Sequence, residues 1–347
     1  MLGISVYLGN DPDQNIKWIQ KAGSCGFRKI FTSLHIPEED ASLLRERLIL
    51  LGKAAGKAGM ALMADAGPQS LKSIGISMDS IGHLREWNID GIRADYGFSD
   101  KEIITLSQEM KVGINASTLD EETVNNWKDN GLLTENVEAW HNFYPRQNTG
   151  IPSSFLREKN IFLKSLGLQT AAFVPGDKTL RGPVFEGLPT LEKHRKANPF
   201  HAAVELGSLQ TDHILIGDVE ASDETLERLS AWKDGILTLR VDWMEGESVS
   251  GVHTNRQDAA RDVIRSVESR SYALNNGEKA APQNPPLPRP LGSITIDNEK
   301  YGRYAGELQI TKTDLPADER VNVFGQVREE DLMLLPYIGP GQKFLVL

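Results

Sequence analysis

DHILIGD, residues 212–218, is an apolar run without alternation that ends on a glycine and an aspartate. A parallel strand covered by helices on both faces reads this way, because it has no polar side to show. It is the eighth run of its kind in the chain, and that count decides the fold. Upstream lie GISVYLG (3–9), KIFTSL (29–34), ALMADA (61–66), GIRADY (91–96), KVGINAS (111–117), VEAWHNF (137–143) and LQTAAFV (168–174). Helix-patterned segments separate them, among them QNIKWIQKAGSCGF, EEDASLLRERLILLGKAAGKAG, SLKSIGI, DKEIITLSQEM, DEETVNNWKDNG and SSFLREKNIFLKSLG. TLEKHRKANPFHAAVELGSL precedes the eighth strand and DETLERLSAWKDG follows it. Eight strand–helix units in about 235 residues predict an α/β fold of the (β/α)8 TIM-barrel type. A doubly wound open sheet is the rival, but no GxGxxG or P-loop follows any strand.

After residue 236 the pattern changes. ILTLRVDW is strand-like, NRQDAARDVIRSVESR has a polar helical pattern, and AAPQNPPLPRPLG reads as a stiff loop of polyproline character. GSITIDN, GELQITKT, VNVFGQV and KFLVL follow as short strands split by Gly, Pro and Asp. The expected division is therefore a barrel over 1–236 and a small mostly-β domain, a compact barrel, over 237–347.

The chain has 347 residues, enough for one large and one small core. Its net charge of −10 argues against a nucleic-acid partner, though a local basic pocket for a small anion is compatible with it. A single cysteine, Cys25, allows no intrachain disulfide and no cysteine zinc cluster, and reads as a small packed residue. The N-terminal MLGISVYLGNDPDQ lacks a basic, apolar and cleavable signal, and no run approaches the ~18 apolar residues of a membrane span. The expectation is a cytoplasmic protein with no membrane partner.

In a (β/α)8 barrel the chemistry lies at the C-terminal ends of the strands. Those ends deliver Tyr7 and Asn10, Ser33 and His35 (with Glu38 and Glu39), Asp65, and Arg93 with Asp95 and Tyr96. They continue with Asn115 and Ser117, then His141, Asn142, Tyr144 and Arg146. Last come Phe173 with the loop that carries Lys178, Arg181 and Glu186, and then Asp218 and Glu220. Asp65, Asp95 and Asp218 stand together as strand-end carboxylates, and buried charge needs water, partners or a ligand. Two carboxyls suit acid/base work on a sugar: one protonates the leaving oxygen and the other stays ionised. Asp95 and Asp218 are the principal catalytic candidates, with Asp65 and Glu186 as alternates. Arginine forks match phosphate oxygens. Arg146, Lys178 and Arg181 are the phosphate candidates, with His194 and Arg195 nearby. Arg93, Asn115, His141, Asn142 and Tyr144 are placed to orient substrate hydroxyls or amides.

No cofactor is called for. A metal held by His35, Asp65, Asp95 and His141 is a rival, without HxH, HExxH or DxD spacing to support it. Lys178 lies beyond its strand, which disfavours a Schiff-base role, and no G-x-S-x-G elbow is present.

GISVYLGN, FTSLHIPEED, GIRADYGF, INAST, HNFYPRQNTG, FVPGDKTLRGPVFEGLPTLEKHR and LIGD together resemble the bacterial 6-phospho-N-acetylmuramidase family, formerly labelled "outer surface protein". The resemblance runs over nearly the whole chain. It implies a (β/α)8 barrel followed by a cyclophilin-like small domain, which does not by itself imply prolyl isomerase activity. It also implies a phosphorylated amino-sugar substrate. The β-1,4 bond of N-acetylmuramic acid 6-phosphate–N-acetylglucosamine would be cleaved in cytoplasmic peptidoglycan recycling. Two departures stand out: Asp65-Ala66-Gly67-Pro68 where the family reads Asp-Ile/Val-Ser-Pro, and Gly217-Asp218-Val219 where it reads Gly-Asp-Pro. The small domain is a candidate cover or homodimer contact.

Overall fold

The computed structural model describes residues 1–35, 43–94, 96–245, 249–269 and 280–347. The chain divides into two compact units, 1–230 and 231–347. In the first, eight parallel strands close into a barrel in chain order. They are β1 (Leu2–Ser5), β2 (Lys29–Ser33), β3 (Ala61–Ala66), β4 (Gly91–Ala94), β5 (Lys111–Asn115), β6 (Val137–Trp140), β7 (Gln169–Val174) and β8 (His213–Ile216). The ring closes where Gly3 of β1 pairs with Leu215 of β8. Every expected strand is present, and most end earlier than the apolar pattern does.

Helices cover the barrel: α1 (Pro12–Ser24), α2 (Leu44–Ala58), α3 (Pro68–Ser73), α4 (His83–Glu86), α5 (Asp100–Glu109), α6 (Glu121–Asp129), α7 (Ser153–Ser165), α8 (Pro199–Ser208) and α9 (Asp223–Lys233). Local chemistry sets their starts. Ser99 and Glu102 form a reciprocal capping box on α5. The long helix expected over 190–209 instead begins at Pro199, after a short 3-10 turn at Glu192–His194. Asn198 caps it by accepting from Phe200 N at 2.9 Å, and proline at the first helical position has no amide hydrogen to lose.

Successive strand side chains alternate, so one parity of each strand points into the barrel. Phe31, Met63, Trp140, Ala171, Phe173 and Leu215 meet there from five strands. Phe31 and Phe173 stack edge-on with centroids 5.3 Å apart, and Phe143 caps Phe173 at 5.1 Å. Each such buried ring contributes about 1.5–3 kcal/mol. Gly113 leaves room for the indole: a Cβ there would stand 3.0 Å from Trp140 Cδ1. Below this layer a buried ion pair forms the floor. Lys29 Nζ donates to Glu138 at 2.6 Å, and Trp140 Nε1 donates to the same carboxylate at 2.9 Å. His213 Nε2 lies 3.6 Å from it.

The second unit carries β9 (Ile236–Leu239), β10 (Val241–Trp243), β11 (Gly251–Thr254), β12 (Val263–Arg265), β13 (Ser293–Asp297), β14 (Leu308–Thr311), β15 (Val321–Val327) and β16 (Lys343–Val346). They form a five-stranded sheet, β10-β15-β13-β14-β12, and a three-stranded sheet, β11-β16-β9. The helix expected over 255–270 is replaced in its middle by β12, antiparallel to β14. The charges that imitated a helical polar face are paired across strands: Arg265 Nε and Nη2 reach Glu307 at 2.6 and 3.0 Å. The proline-rich stretch is ordered against β15, where Gln283 N donates to Asn322 Oδ1 at 2.9 Å. Among the described residues no helix is long and apolar enough to cross a membrane.

Breaking a buried ion pair by neutralising one partner strands the other charge. Glu138→Gln is expected to lower stability by about 3–5 kcal/mol. Lys29→Met/Glu138→Leu should recover most of that loss. Urea unfolding followed by tryptophan fluorescence measures both; an unchanged midpoint in the single variant contradicts the floor's role.

Candidate active site

Ladder parity carries Phe31 and Met63 upward to Ser33 and Asp65, and the register places Ser33 beside Asp65 and Asp65 beside Arg93. These inward groups form one network above the aromatic layer. Ser33 Oγ donates to Asp65 Oδ2 at 3.0 Å, and Arg93 Nη1 donates to Asp65 Oδ1 at 2.7 Å. Arg93 Nη2 donates to Asn142 Oδ1, just past the end of β6, two strands along the ring. Asp65 and Arg93 are only 7% and 5% exposed, so the pair is a fixed feature of the floor of the mouth. Tyr7 adds a buried phenol that donates to Gly217 O, and burial pushes its pKa up.

Asp218 lies just past the end of β8. It follows inward-facing parity by one residue and is fully buried. Oδ2 accepts from Gly176 N at 2.8 Å and Leu188 N at 3.0 Å, and Oδ1 accepts from Arg181 N at 2.9 Å. Burial raises its pKa while these three donors pull the other way. Both oxygens are committed to backbone, so Asp218 folds the loop that joins β7 to α8. Gly176 permits the approach; a Cβ there would lie 2.8 Å from Asp218 Cβ.

His141 is also redirected. It lies between inward-facing Trp140 and Asn142, so it points away from the barrel axis toward α7. Its Nε2 lies 2.8 Å from Asn160 Oδ1. Asn160 Nδ2 donates to Leu209 O and Thr211 Oγ1, which assigns the proton to His141 Nε2. Burial lowers the His141 pKa to about 4. His141 is fully buried and packs against α7.

The basic residues divide in the same way. Arg181 stands over the Tyr7 ring, 4.3 Å from its centroid, and makes no ion pair among the described residues. Lys178 is exposed and paired with Glu220 at 2.9 Å. Arg146 is exposed on its loop, where its carbonyl accepts from Arg195 Nη2 at 3.0 Å. Arg195, weighed as an anion ligand, is buried and builds the rim instead: Nη1 reaches Tyr144 O at 2.8 Å and Gly187 O at 3.2 Å. Its partner Glu192, bonded to Arg195 Nη2 at 2.6 Å and to Asn148 N at 2.9 Å, has a pKa pulled down to about 2, chiefly by Arg195. His194 is buried and bonded to Glu205 at 3.0 Å.

Glu186 is half-buried on the β7–α8 loop and accepts from Gln147 Nε2 at 2.5 Å. Tyr144 is half-buried with its pKa raised by burial, and Asn115 Oδ1 accepts from Ser117 N at 3.0 Å. Asp95, Glu38 and Glu39 lie outside the described residues. Among the described residues no three His, Cys, Asp or Glu side chains are grouped to hold a metal. Sequence reading missed the Glu192–Arg195 clamp. Its i, i+3 spacing was visible, but the backbone carbonyls it joins were not.

An inward polar network over a packed eight-stranded barrel is the layout of a (β/α)8-barrel enzyme with its chemistry at the C-terminal rim. Two family models match the chain: 6-phospho-N-acetylmuramidase, N-terminal, over residues 2–231, and 6-phospho-N-acetylmuramidase, C-terminal, over 237–346. The chain belongs to the 6-phospho-N-acetylmuramidase family and is a glycosidase acting on a phosphosugar. A conserved Enterococcus faecalis protein of unknown function is 42% identical, with TM-score 0.86 over 100% of this chain and 96% of that one. An uncharacterized B. cereus protein is 27% identical, with TM-score 0.80 over 100% of this chain and 99% of that one. A search of curated proteins returned no match.

Asp218→Asn puts an amide hydrogen against one of three backbone donors. It should speed proteolytic cleavage within 176–188 at least several-fold, and wild-type resistance would contradict the loop-folding role. A second expectation concerns acid. His141 and His213 both have folded pKa values near 4, lowered by burial from an unfolded value near 6.5. The unfolded chain therefore binds more protons between these values. Stability from the two groups is complete above about pH 6.5 and is lost as pH falls toward 4, by up to about 1.4 kcal/mol per pH unit for each. Urea midpoints at pH 7, 5.5 and 4.5 measure the slope; a flat profile excludes the assignment.

Proposed function

We propose that this enzyme hydrolyses the β-1,4 bond of N-acetylmuramic acid 6-phosphate–N-acetylglucosamine, in the cytoplasm, during recovery of cell-wall sugars. The observation that carries the phosphate requirement is Arg181. It is a guanidinium braced on Tyr7, with its backbone fixed by Asp218 and no ion pair among the described residues. A phosphate monoester supplies the bidentate acceptor that such a fork matches. Lys178 and Arg146 are more exposed and take a secondary part in this reading.

Asp65 is the ionised carboxylate. Held by Ser33 and Arg93, it is arranged to accept, and it faces the position where positive charge develops on the sugar ring. The partner acid must deliver a proton to the leaving oxygen. Asp95, two residues beyond Arg93 in sequence, and Glu186 are the candidates. Asp218 acts by positioning the loop that carries Arg181. Asn142 and Arg93 orient hydroxyls next to Asp65, and Asn115 and Tyr144 line the adjoining rim.

The test is product release from the phosphorylated disaccharide. Asp65→Asn should lower kcat by roughly a thousandfold or more, in the range of lost catalytic carboxylates. Arg181→Met should raise KM by about tenfold or more, as expected for one lost charge-assisted contact. Near-wild-type turnover by Asp65→Asn removes the assignment, and equal cleavage of the unphosphorylated disaccharide removes the phosphate site.

A further inference from the structure

The loop joining β7 to α8 is tied down along its length. Asp218 accepts from Gly176 N at 2.8 Å, Arg181 N at 2.9 Å and Leu188 N at 3.0 Å, and Arg195 Nη1 reaches Gly187 O at 3.2 Å. Glu186 accepts from Gln147 Nε2 at 2.5 Å, which fastens this loop to the one after β6. Within it residues 181–185 form one turn, closed by Phe185 N donating to Arg181 O at 3.2 Å. The first residue of the turn stands over the Tyr7 ring, and the residue after its last reaches Gln147. The turn therefore runs along the rim from the β1 side to the β6 side. Two features of its tip are unfavourable in isolation. Phe185 is 63% exposed, and Val184 beside it is 48% exposed. Phe185 also has φ of 56°, in the left-handed region where a bulky residue is an outlier. Glycine would close the same turn without strain. The ring is nevertheless seated: its tip lies against Gly182, where a Cβ would stand 2.9 Å from Phe185 Cζ. Strain held in place by its surroundings is characteristic of functional positions.

We propose that Phe185 is a specificity residue of this glycosidase, its ring packing on the C–H face of the phosphorylated sugar while Arg181 of the same turn holds that sugar's phosphate. The proposal rests on the phosphate reading of Arg181 given above. A pyranose ring turns C–H groups toward one side, and their slight positive charge suits the negative face of an aromatic ring. A sugar bearing a phosphate brings both complements at once, an anion for the guanidinium and an apolar face for the phenyl group. Binding then covers apolar surface that the free enzyme leaves in water. The strained turn fixes the ring beforehand, so little of its freedom is lost on binding. Phe185 touches the face of the sugar and none of the reacting atoms, so its part is selection, not catalysis.

Phe185→Gly separates this role from a structural one, because it deletes the ring and relieves the backbone together. In the full chain this variant should keep or raise the thermal midpoint. KM for the phosphorylated disaccharide should rise about three- to tenfold, with kcat within about twofold. Phe185→Trp, which keeps an aromatic ring, should return KM to within about twofold of the wild type. Calorimetry supplies the second readout. Affinity for N-acetylmuramic acid 6-phosphate should fall by the same factor in Phe185→Gly, while inorganic phosphate, which has no apolar face, competes equally well in both proteins. Unchanged KM and affinity in Phe185→Gly overturn the proposal. So does an equal weakening of inorganic phosphate, which would mean that Phe185 only shapes the loop around Arg181. A wild-type dimer that becomes monomeric in Phe185→Gly with KM unchanged, measured by light scattering, also overturns it and gives the ring to a second copy of the chain. Should Arg181→Met leave KM unchanged while Phe185→Gly raises it, the phosphate reading falls and the ring contact stands.

Discussion

A closed ring of eight parallel strands encloses one narrow space, and only one parity of each strand can enter it. That constraint orders the rest of the first unit. It stacks the Lys29–Glu138 pair, the Phe31–Trp140–Phe173 layer and the Ser33–Asp65–Arg93–Asn142 network at successive heights. The aromatic layer separates two charged layers. Its packed rings stand between them. A residue one step out of phase turns behind the strands or into the loops, as His141 does toward Asn160 and Asp218 does toward three loop amides.

Excluded polar residues still have work. The loops that shape a (β/α)8 mouth are long, and their backbone groups require partners if they are to hold one conformation. Asp218 gathers three amides of the β7–α8 loop, and Arg195 gathers carbonyls from that loop and the one after β6. One anion collects donors and one cation collects acceptors. Through them the loop that presents Arg181 is set by buried charge instead of regular secondary structure. The arrangement is costly to bury and stable only when every partner is in place. It therefore ties the shape of the mouth to the integrity of the fold.

The second unit follows a different rule. All but one of its strand pairs are antiparallel, and the Arg265–Glu307 ion pair joins β12 to the residue that leads into β14. Cross-strand charge of this sort produces a sequence that looks amphipathic at helical spacing, which is why the stretch around Val263 reads as a helix until its neighbours are known.

Local pattern alone determined the eight β/α units, the change of architecture near residue 236, and the residues at each strand end, because periodicity and capping act over a few neighbours. The family resemblance was legible for the same reason, being carried by contiguous motifs at those ends. What only the tertiary structure decided was orientation and partnership. Strands apolar on both faces do not disclose which parity turns inward, so the phase of Asp218, a principal candidate, and that of Asp65, an alternate, were not legible. The ring closure, which pairs residues more than 200 positions apart, separated them.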